Sequence, residues 1–235
     1  MVAILFDWDG TLADSLGTFF QANRRLLASY GRPFDAERYR RNYSPDWRRL
    51  YRRLGIPPHR LAEANAAWER HFDPAAARLF PGVRDALEAL AGAGARLGVV
   101  TATRRVIVEP QLERFGLTGL LDVLVTADDT PTTKPDPAPL RLAIERLGLG
   151  GEAADHDIWY VGDAPDDMRM ARRLDIPAVG IPSLLSRPAS LRAAGAVEIW
   201  PSVPLWAASF LGRLERDGSG RRAPAPTEAA PDARP

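Results

Sequence analysis

The stretch Val2-Ala3-Ile4-Leu5-Phe6-Asp7-Trp8-Asp9-Gly10-Thr11 opens with five apolar residues and stops at two carboxylates, a glycine and a threonine. A short continuous apolar run ended by turn-forming residues reads as a buried strand feeding a polar loop. Period-two alternation puts Asp7 and Asp9 on the same side of the chain, close enough to share one task. Two such carboxylates repel each other, and a divalent metal or a division into base and acid relieves the repulsion. Gly10 permits a tight turn that exposes N–H groups to an anion. A plain strand-ending Asx turn needs one Asp and a Gly, but neither the second Asp nor Thr11.

The same punctuation recurs downstream. Apolar runs at Arg96–Thr101, Val123–Thr126, Ile158–Val161 and Ala178–Ile181 read as strands, the last flanked by Pro177 and Pro182. Helical patterns lie between them at Val83–Leu90, Gln111–Phe115, Pro139–Leu147 and Asp166–Leu174, with Pro110 placing one helix start near Glu109. This alternation predicts an α/β fold, a Rossmann-like, mostly parallel sheet covered on both faces. In such sheets ligands bind beyond the carboxyl ends of the strands, where the Asp, Thr and Lys clusters fall.

Residues 15–80 break the alternation with helix-like segments at Leu16–Tyr30, Ala36–Tyr43, Asp46–Leu54 and Leu61–Phe72. They read as an inserted all-helical domain within a core of residues 1–14 and 81–216, which the chain re-enters at Phe80-Pro81-Gly82-Val83. The insert holds thirteen arginines against six acidic residues, a net +7 that would attract an anion. For most of these arginines a solvated helix surface is reason enough. Val203–Leu214 reads as a last helix, with Trp206 and Phe210 in the core, and 217–235 as a Gly/Ser then Pro/Ala-rich disordered tail.

Across 235 residues, 31 Lys+Arg oppose 30 Asp+Glu, so a net +1 supplies no basic field for nucleic acid. No cysteine means no disulfide, thiolate metal site or cysteine nucleophile. No run approaches the roughly 20 apolar residues of a membrane span. The expectation is a cytoplasmic protein with no nucleic-acid or membrane partner, and nothing in the composition speaks to oligomeric state. Lys134 is the one lysine beside thirty arginines, which marks a place where a compact ammonium serves and a planar fork does not.

Three further clusters follow strand ends. Thr101-Ala102-Thr103 offers a hydroxyl and N–H groups, and Thr132-Thr133-Lys134-Pro135 brings the ammonium. Gly162-Asp163-Ala164-Pro165-Asp166-Asp167 brings carboxylates. Capping of a helix begun near Pro165 accounts for Asp166 and Asp167, but less well for Asp163. Oxygen ligands from two strand ends, completed by water, suit Mg²⁺.

With these four blocks in order, the chain resembles the haloacid dehalogenase superfamily of phosphatases over roughly residues 1–200. The insert resembles the helical cap of the phosphoglycolate phosphatase-like subgroup. That resemblance implies a Mg²⁺-dependent phosphatase in which Asp7 attacks phosphorus to form an aspartyl-phosphate. It implies that Asp9 protonates the leaving alcohol and then deprotonates water. It implies that Asp7, the Asp9 carbonyl and Asp163 hold the metal, with Asp167 adding a water-bridged ligand or orienting Lys134. Which of Asp166 and Asp167 serves the metal stays open. Thr101 and the Ala102 N–H are expected to hold phosphate oxygens, and Lys134 to bind phosphate and offset the gathered charge.

The implied partner is a small phosphorylated metabolite, phosphoglycolate-like, with sugar phosphates, nucleotides and pyrophosphate also open. Arg24, Arg48, Arg49 and Arg52 are candidates to contact it. Asp9 argues against a dehalogenase, and an insert without lysine against a phosphonoacetaldehyde hydrolase. A phosphosugar mutase is the alternative, although Thr11–Phe20 lacks the histidine that β-phosphoglucomutases carry after their first motif. A receiver domain would place its phosphorylated Asp on the third strand and carry no such insert. A non-catalytic phosphate-binding protein would not need every motif position filled. Trp8 reads better as packing than as pocket wall.

Overall fold

The computed structural model describes residues 1–149 and 157–217. The chain begins with β1 (Val2–Phe6) and a two-residue β2 (Ala13–Asp14). The helices α1 (Leu16–Ser29), α2 (Ala36–Asn42), α3 (Trp47–Arg53) and α4 (Leu61–Glu69) follow. After β3 (Arg78–Leu79) come α5 (Val83–Gly92), β4 (Arg96–Val100), α6 (Arg105–Arg114) and β5 (Val123–Val125). Then α7 (Ala138–Arg146), β6 (Asp157–Gly162), α8 (Pro165–Arg172) and β7 (Ala178–Gly180) alternate. The described chain ends with α9 (Pro188–Ala194), β8 (Glu198–Ile199) and α10 (Val203–Asp217).

Six strands form one sheet in the order β5-β4-β1-β6-β7-β8, and every pairing is parallel. Alternation sorts the strands onto two cores. Ile4, Phe6, Leu97 and Val99 face α5, α6 and α10, where Leu87, Leu112 and Trp206 are buried. Ala3, Leu5, Val100 and Tyr160 face α7, α8 and α9, where Leu140, Met168 and Leu191 are buried. Because chain order reverses between the two neighbours of β1, a crevice opens at its carboxyl end, between β4 and β6.

Helices α1–α4 bury a cluster of their own, with Leu26, Leu27, Leu50, Tyr51, Leu54 and Ile56 at its centre. Leu185, from the loop after β7, packs into it. Asp35 and Asp46 accept hydrogen bonds from the backbone N–H groups of Arg38 and Arg48, satisfying first-turn donors of α2 and α3. The segment leaves and returns through one antiparallel pair, Ala13 opposite Leu79 and Asp14 opposite Arg78.

The structure departs from the sequence expectations at one helix start, three short strands and one helix end. The helix expected to begin near Glu109 begins at Arg105 and runs through Pro110. Its first N–H is capped from far along the chain, Arg105 N–H donating to Asp128 at 2.7 Å. Pro110 lies on the exposed face one turn after Val106, itself 64% exposed, so the hydrogen bond it forgoes is on the solvent side. Strands β2, β3 and β8 are two residues each, too short to show periodicity. Asp217 ends α10 rather than opening a tail, and the rest of the expected disordered tail lies outside the described residues.

Candidate active site

Asp7 follows β1 directly, and its N–H donates to the Val161 carbonyl at 2.8 Å, so the β1–β6 ladder holds it one step past the strand. Lys134, in the loop between β5 and α7, places Nζ 2.5 Å from Asp7 Oδ1 and 2.7 Å from Asp167 Oδ1. Asp167 lies in the first turn of α8, where the Ala164 N–H donates to its Oδ2 at 3.0 Å. The Tyr160 hydroxyl donates to its Oδ1 at 3.0 Å. The carboxylate folds back over the end of β6, and a Cβ on Gly162 would lie 2.6 Å from Asp167 Cγ. Gly10 turns the first loop at φ 85°, and a Cβ there would lie 2.5 Å from Asp163 Oδ2. These two glycines let the loops close on the carboxylates.

Asp7, Asp163 and Asp167 are buried, with one oxygen from each mutually within 4.8 Å. Burial pushes Asp7 from 3.8 up to about 7; Lys134 opposes the shift and the charges of Asp167 and Asp9 add to it. Burial, then the charges of Asp7 and Asp167, hold Asp163 well above the usual carboxylate range, while Ser183, donating to its Oδ2 at 2.5 Å, opposes that shift. Burial works against the Lys134 ammonium, but Asp167 and Asp7 outweigh it and keep the amine firmly protonated. One ammonium cannot balance three buried carboxyls, so Asp7 and Asp163 resist ionisation in the absence of a further cation. An all-oxygen donor set in that condition fits a hard divalent cation such as Mg²⁺.

Asp9 stands apart from this group. Its Oδ1 accepts from Ser15 Oγ and its Oδ2 from Thr103 Oγ1, both at 2.6 Å. Burial raises its pKa, and the two hydrogen bonds recover only part of the shift. Of the expected metal set, the carboxylates of Asp7, Asp163 and Asp167 come together and that of Asp9 lies outside the cluster, the expected Asp9 ligand being its backbone carbonyl. Thr101 continues β4, its N–H donating to the Val125 carbonyl at 2.9 Å. Its Oγ1 accepts from the Thr103 N–H at 3.0 Å, which leaves the hydroxyl proton to donate elsewhere. Ala102 lines the cavity beside it. Asp166 pairs with Arg169 at 2.8 Å, so Asp167, not Asp166, belongs to the carboxylate cluster.

Sequence reasoning did not single out Ser15, Tyr160 or Ser183. Ser183 carried a signal, since it follows the carboxyl end of a strand; Tyr160 looked like any buried strand residue. Trp8 is fully buried in the sheet core and donates to Gln111, so packing is its role. Of the four arginines named as candidates, Arg48 lines the cavity, whereas Arg24, Arg49 and Arg52 are exposed and do not.

Above the carboxylates lies a cavity of about 570 Å³, walled by α1–α4 and the start of α6. Its floor includes Asp7, Asp9, Thr101, Lys134 and Asp167. Among the described residues no helix is long and apolar enough to cross a membrane.

A parallel sheet with an Asp-x-Asp turn after its central strand and a Thr, a Lys and an Asp pair at neighbouring strand ends defines the class. The chain belongs to the haloacid dehalogenase-like hydrolase family, which it matches over residues 4–181. It is 35% identical over 219 residues to the plasmid phosphoglycolate phosphatase of Cupriavidus necator, covering 86% of this chain and 91% of that one. The phosphorylated carbohydrates phosphatase of Thermotoga maritima is 28% identical over 211 residues, covering 85% and 94%. Among solved structures, a hydrolase from Pseudomonas syringae superposes with a TM-score of 0.70 at 26% identity, covering 92% and 99%. CbbY from Rhodobacter sphaeroides, in complex with phosphate, superposes with a TM-score of 0.68 at 27% identity, covering 86% and 94%.

Proposed function

We propose that the chain is a Mg²⁺-dependent phosphomonoester hydrolase working through an aspartyl-phosphate on Asp7. The observation that carries this reading is the division between the two Asp residues of the first loop. Lys134 holds one oxygen of Asp7, while Ser15 and Thr103 hold Asp9 apart with its pKa raised. A nucleophile and a proton donor are thus set two residues apart.

Asp7 attacks phosphorus and the P–O bond to the alcohol breaks, with Asp9 delivering its proton to the departing oxygen. Asp9 then takes a proton from water as that water attacks phosphorus, releasing inorganic phosphate and restoring Asp7. The Thr101 hydroxyl, the Ala102 N–H and the Lys134 ammonium hold the phosphoryl oxygens, and Lys134 balances charge throughout. Asp7 and Asp163, with Asp167 adjacent, would hold Mg²⁺, which when bound neutralises charge on the transferring phosphoryl group.

Residues 15–80 serve as a helical cap over a core of 1–14 and 81–216. The partner is a small phosphorylated metabolite in the cytoplasm, and phosphoglycolate, named for the Cupriavidus relative, is the first to assay. The mutase alternative is less well supported, because His59 and His71 are exposed and neither lines the cavity. The test is phosphate release from a panel of phosphomonoesters with Mg²⁺ and then with EDTA. Metal-dependent release that Asp7→Asn abolishes, in a variant that still melts cooperatively, supports the reading; near-normal turnover by that variant overturns it.

A further inference from the structure

We infer that the alcohol portion of the substrate carries a flat aromatic group, stacked on the helical wall of the cavity; this rests on the phosphatase reading above. The wall facing the carboxylates is built from rings. Trp68 and Phe72 stack at 4.5 Å and 16°, and Phe19 lies 4.7 Å from Phe72 and 5.7 Å from Trp68. All three are only half-buried and line the cavity, so their rings are available to a ligand. Trp47 and Tyr51, 5.6 Å apart, extend the wall, and Val106 faces the cavity from α6.

A second anionic group, such as the carboxylate of phosphoglycolate, finds little here. The two arginines that line the cavity are both exposed, where water competes for them. Arg48 stacks over the Trp47 ring at 4.3 Å, and Arg104 lies 3.8 Å from Asp128. Two pairs of polar lining groups satisfy one another, Asn65 donating to Glu69 at 2.9 Å and Asn23 hydrogen-bonding the buried Tyr39 hydroxyl, while the buried Trp68 indole N–H has no partner among the described residues. A cavity of about 570 Å³ falls within the range of pockets for drug-sized ligands, about 300–1,000 Å³, and far exceeds what a two-carbon acid fills. Ring faces with few free polar groups recognise area and shape, and aromatic pairs gain beyond burial alone.

The test compares phosphate release by the full chain with Mg²⁺ from ethyl phosphate, phosphoglycolate and 2-(2-naphthyl)ethyl phosphate. The first and third share a primary alkoxide leaving group and differ only in the ring. The naphthyl ester is expected to exceed ethyl phosphate in kcat/KM by about a hundredfold or more. Trp68→Leu should lower that ratio by about tenfold. Val106→Glu, at an exposed position where folding is not at stake, should also lower it by placing a charge on the wall. Release from phosphoglycolate or ethyl phosphate with no naphthyl advantage overturns the inference and leaves the phosphatase reading standing. An advantage that neither variant reduces also overturns it. No release from any ester overturns both.

Discussion

The Trp8 indole N–H donates to Gln111 Oε1 at 2.7 Å, and Gln111 Nε2 donates in turn to the Pro74 carbonyl at 2.9 Å. Trp8 stands between Asp7 and Asp9, so the loop that carries both is tied through α6 to the segment where the helical insert returns. Position 8 therefore needs a donor as well as bulk. Gln111→Ala leaves a buried indole N–H unpaired and should cost about 1–3 kcal/mol. A thermal melt reads this as a Tm lower by about 2–4 °C per kcal/mol for a chain of this size. An unchanged Tm would show the bond to be idle.

Lys134→Met removes the ammonium from among three buried carboxylates. Breaking a buried ion pair on one side costs about 3–5 kcal/mol, and if Lys134 faces the phosphoryl group as proposed, its loss should cut turnover about 10²–10³-fold. Lys134→Arg should not rescue, because a planar fork does not occupy the space of an ammonium between Asp7 and Asp167. Denaturant titration and phosphate release check the two effects separately.

Mg²⁺ should raise the Tm of the wild-type chain, since binding at a hundred times Kd stabilises by about 2.7 kcal/mol. Asp163→Asn should behave oppositely in its two states. Without metal at pH 8 it should be at least as stable as wild type, because it removes a carboxylate whose burial disfavours ionisation. With Mg²⁺ it should lose most of the rise. Differential scanning fluorimetry with and without EDTA distinguishes this from general loosening, which would lower both values.

Asp129 predicts an acid limb. Burial alone would raise its carboxyl, but the Thr126 hydroxyl and N–H, with Arg146 and Arg105, hold it well below the usual carboxylate range. A carboxyl lowered on folding contributes stability that is complete above the unfolded value of 3.8 and is lost as pH falls through the lower folded value. Wild type should therefore lose stability below pH about 4 more steeply than Asp129→Asn, which should be the less stable protein at pH 7. Urea titrations at pH 3 and 7 measure the difference; parallel losses would contradict it.

The strands and the polar clusters at their ends were legible because each is a continuous apolar run closed by Gly, Asp or Thr, a signal contained in the local residues. Lys134 was legible because it is the sole lysine in the chain. What escaped is held by distant partners. The start of α6 depends on Asp128, 23 residues away, and β8 exists only through its pairing with Val179 and Gly180. The spacing alone does not separate Asp7 from Asp9; Lys134 on the one and the hydroxyls of Ser15 and Thr103 on the other give them different surroundings. The insert's arginines looked like an anion trap, yet of its residues that wall the cavity seven are aromatic and one is an arginine, and the spacing of those rings reads equally well as helix core.

The antiparallel pair β2–β3 brings Asp14 and Arg78 side by side, so the chain between them leaves and returns at one place, with Leu185 and the Gln111–Pro74 bond as further contacts. A segment attached that way can be lengthened, shortened or exchanged between relatives without moving a single strand of the sheet. The carboxylates, Thr101 and Lys134 all lie outside it, whereas the ring-lined wall lies almost wholly within it. Selection can therefore revise what this chain accepts while the phosphorus chemistry stays unaltered, and a chimera that borrows residues 15–77 from another family member should inherit the donor's preferences.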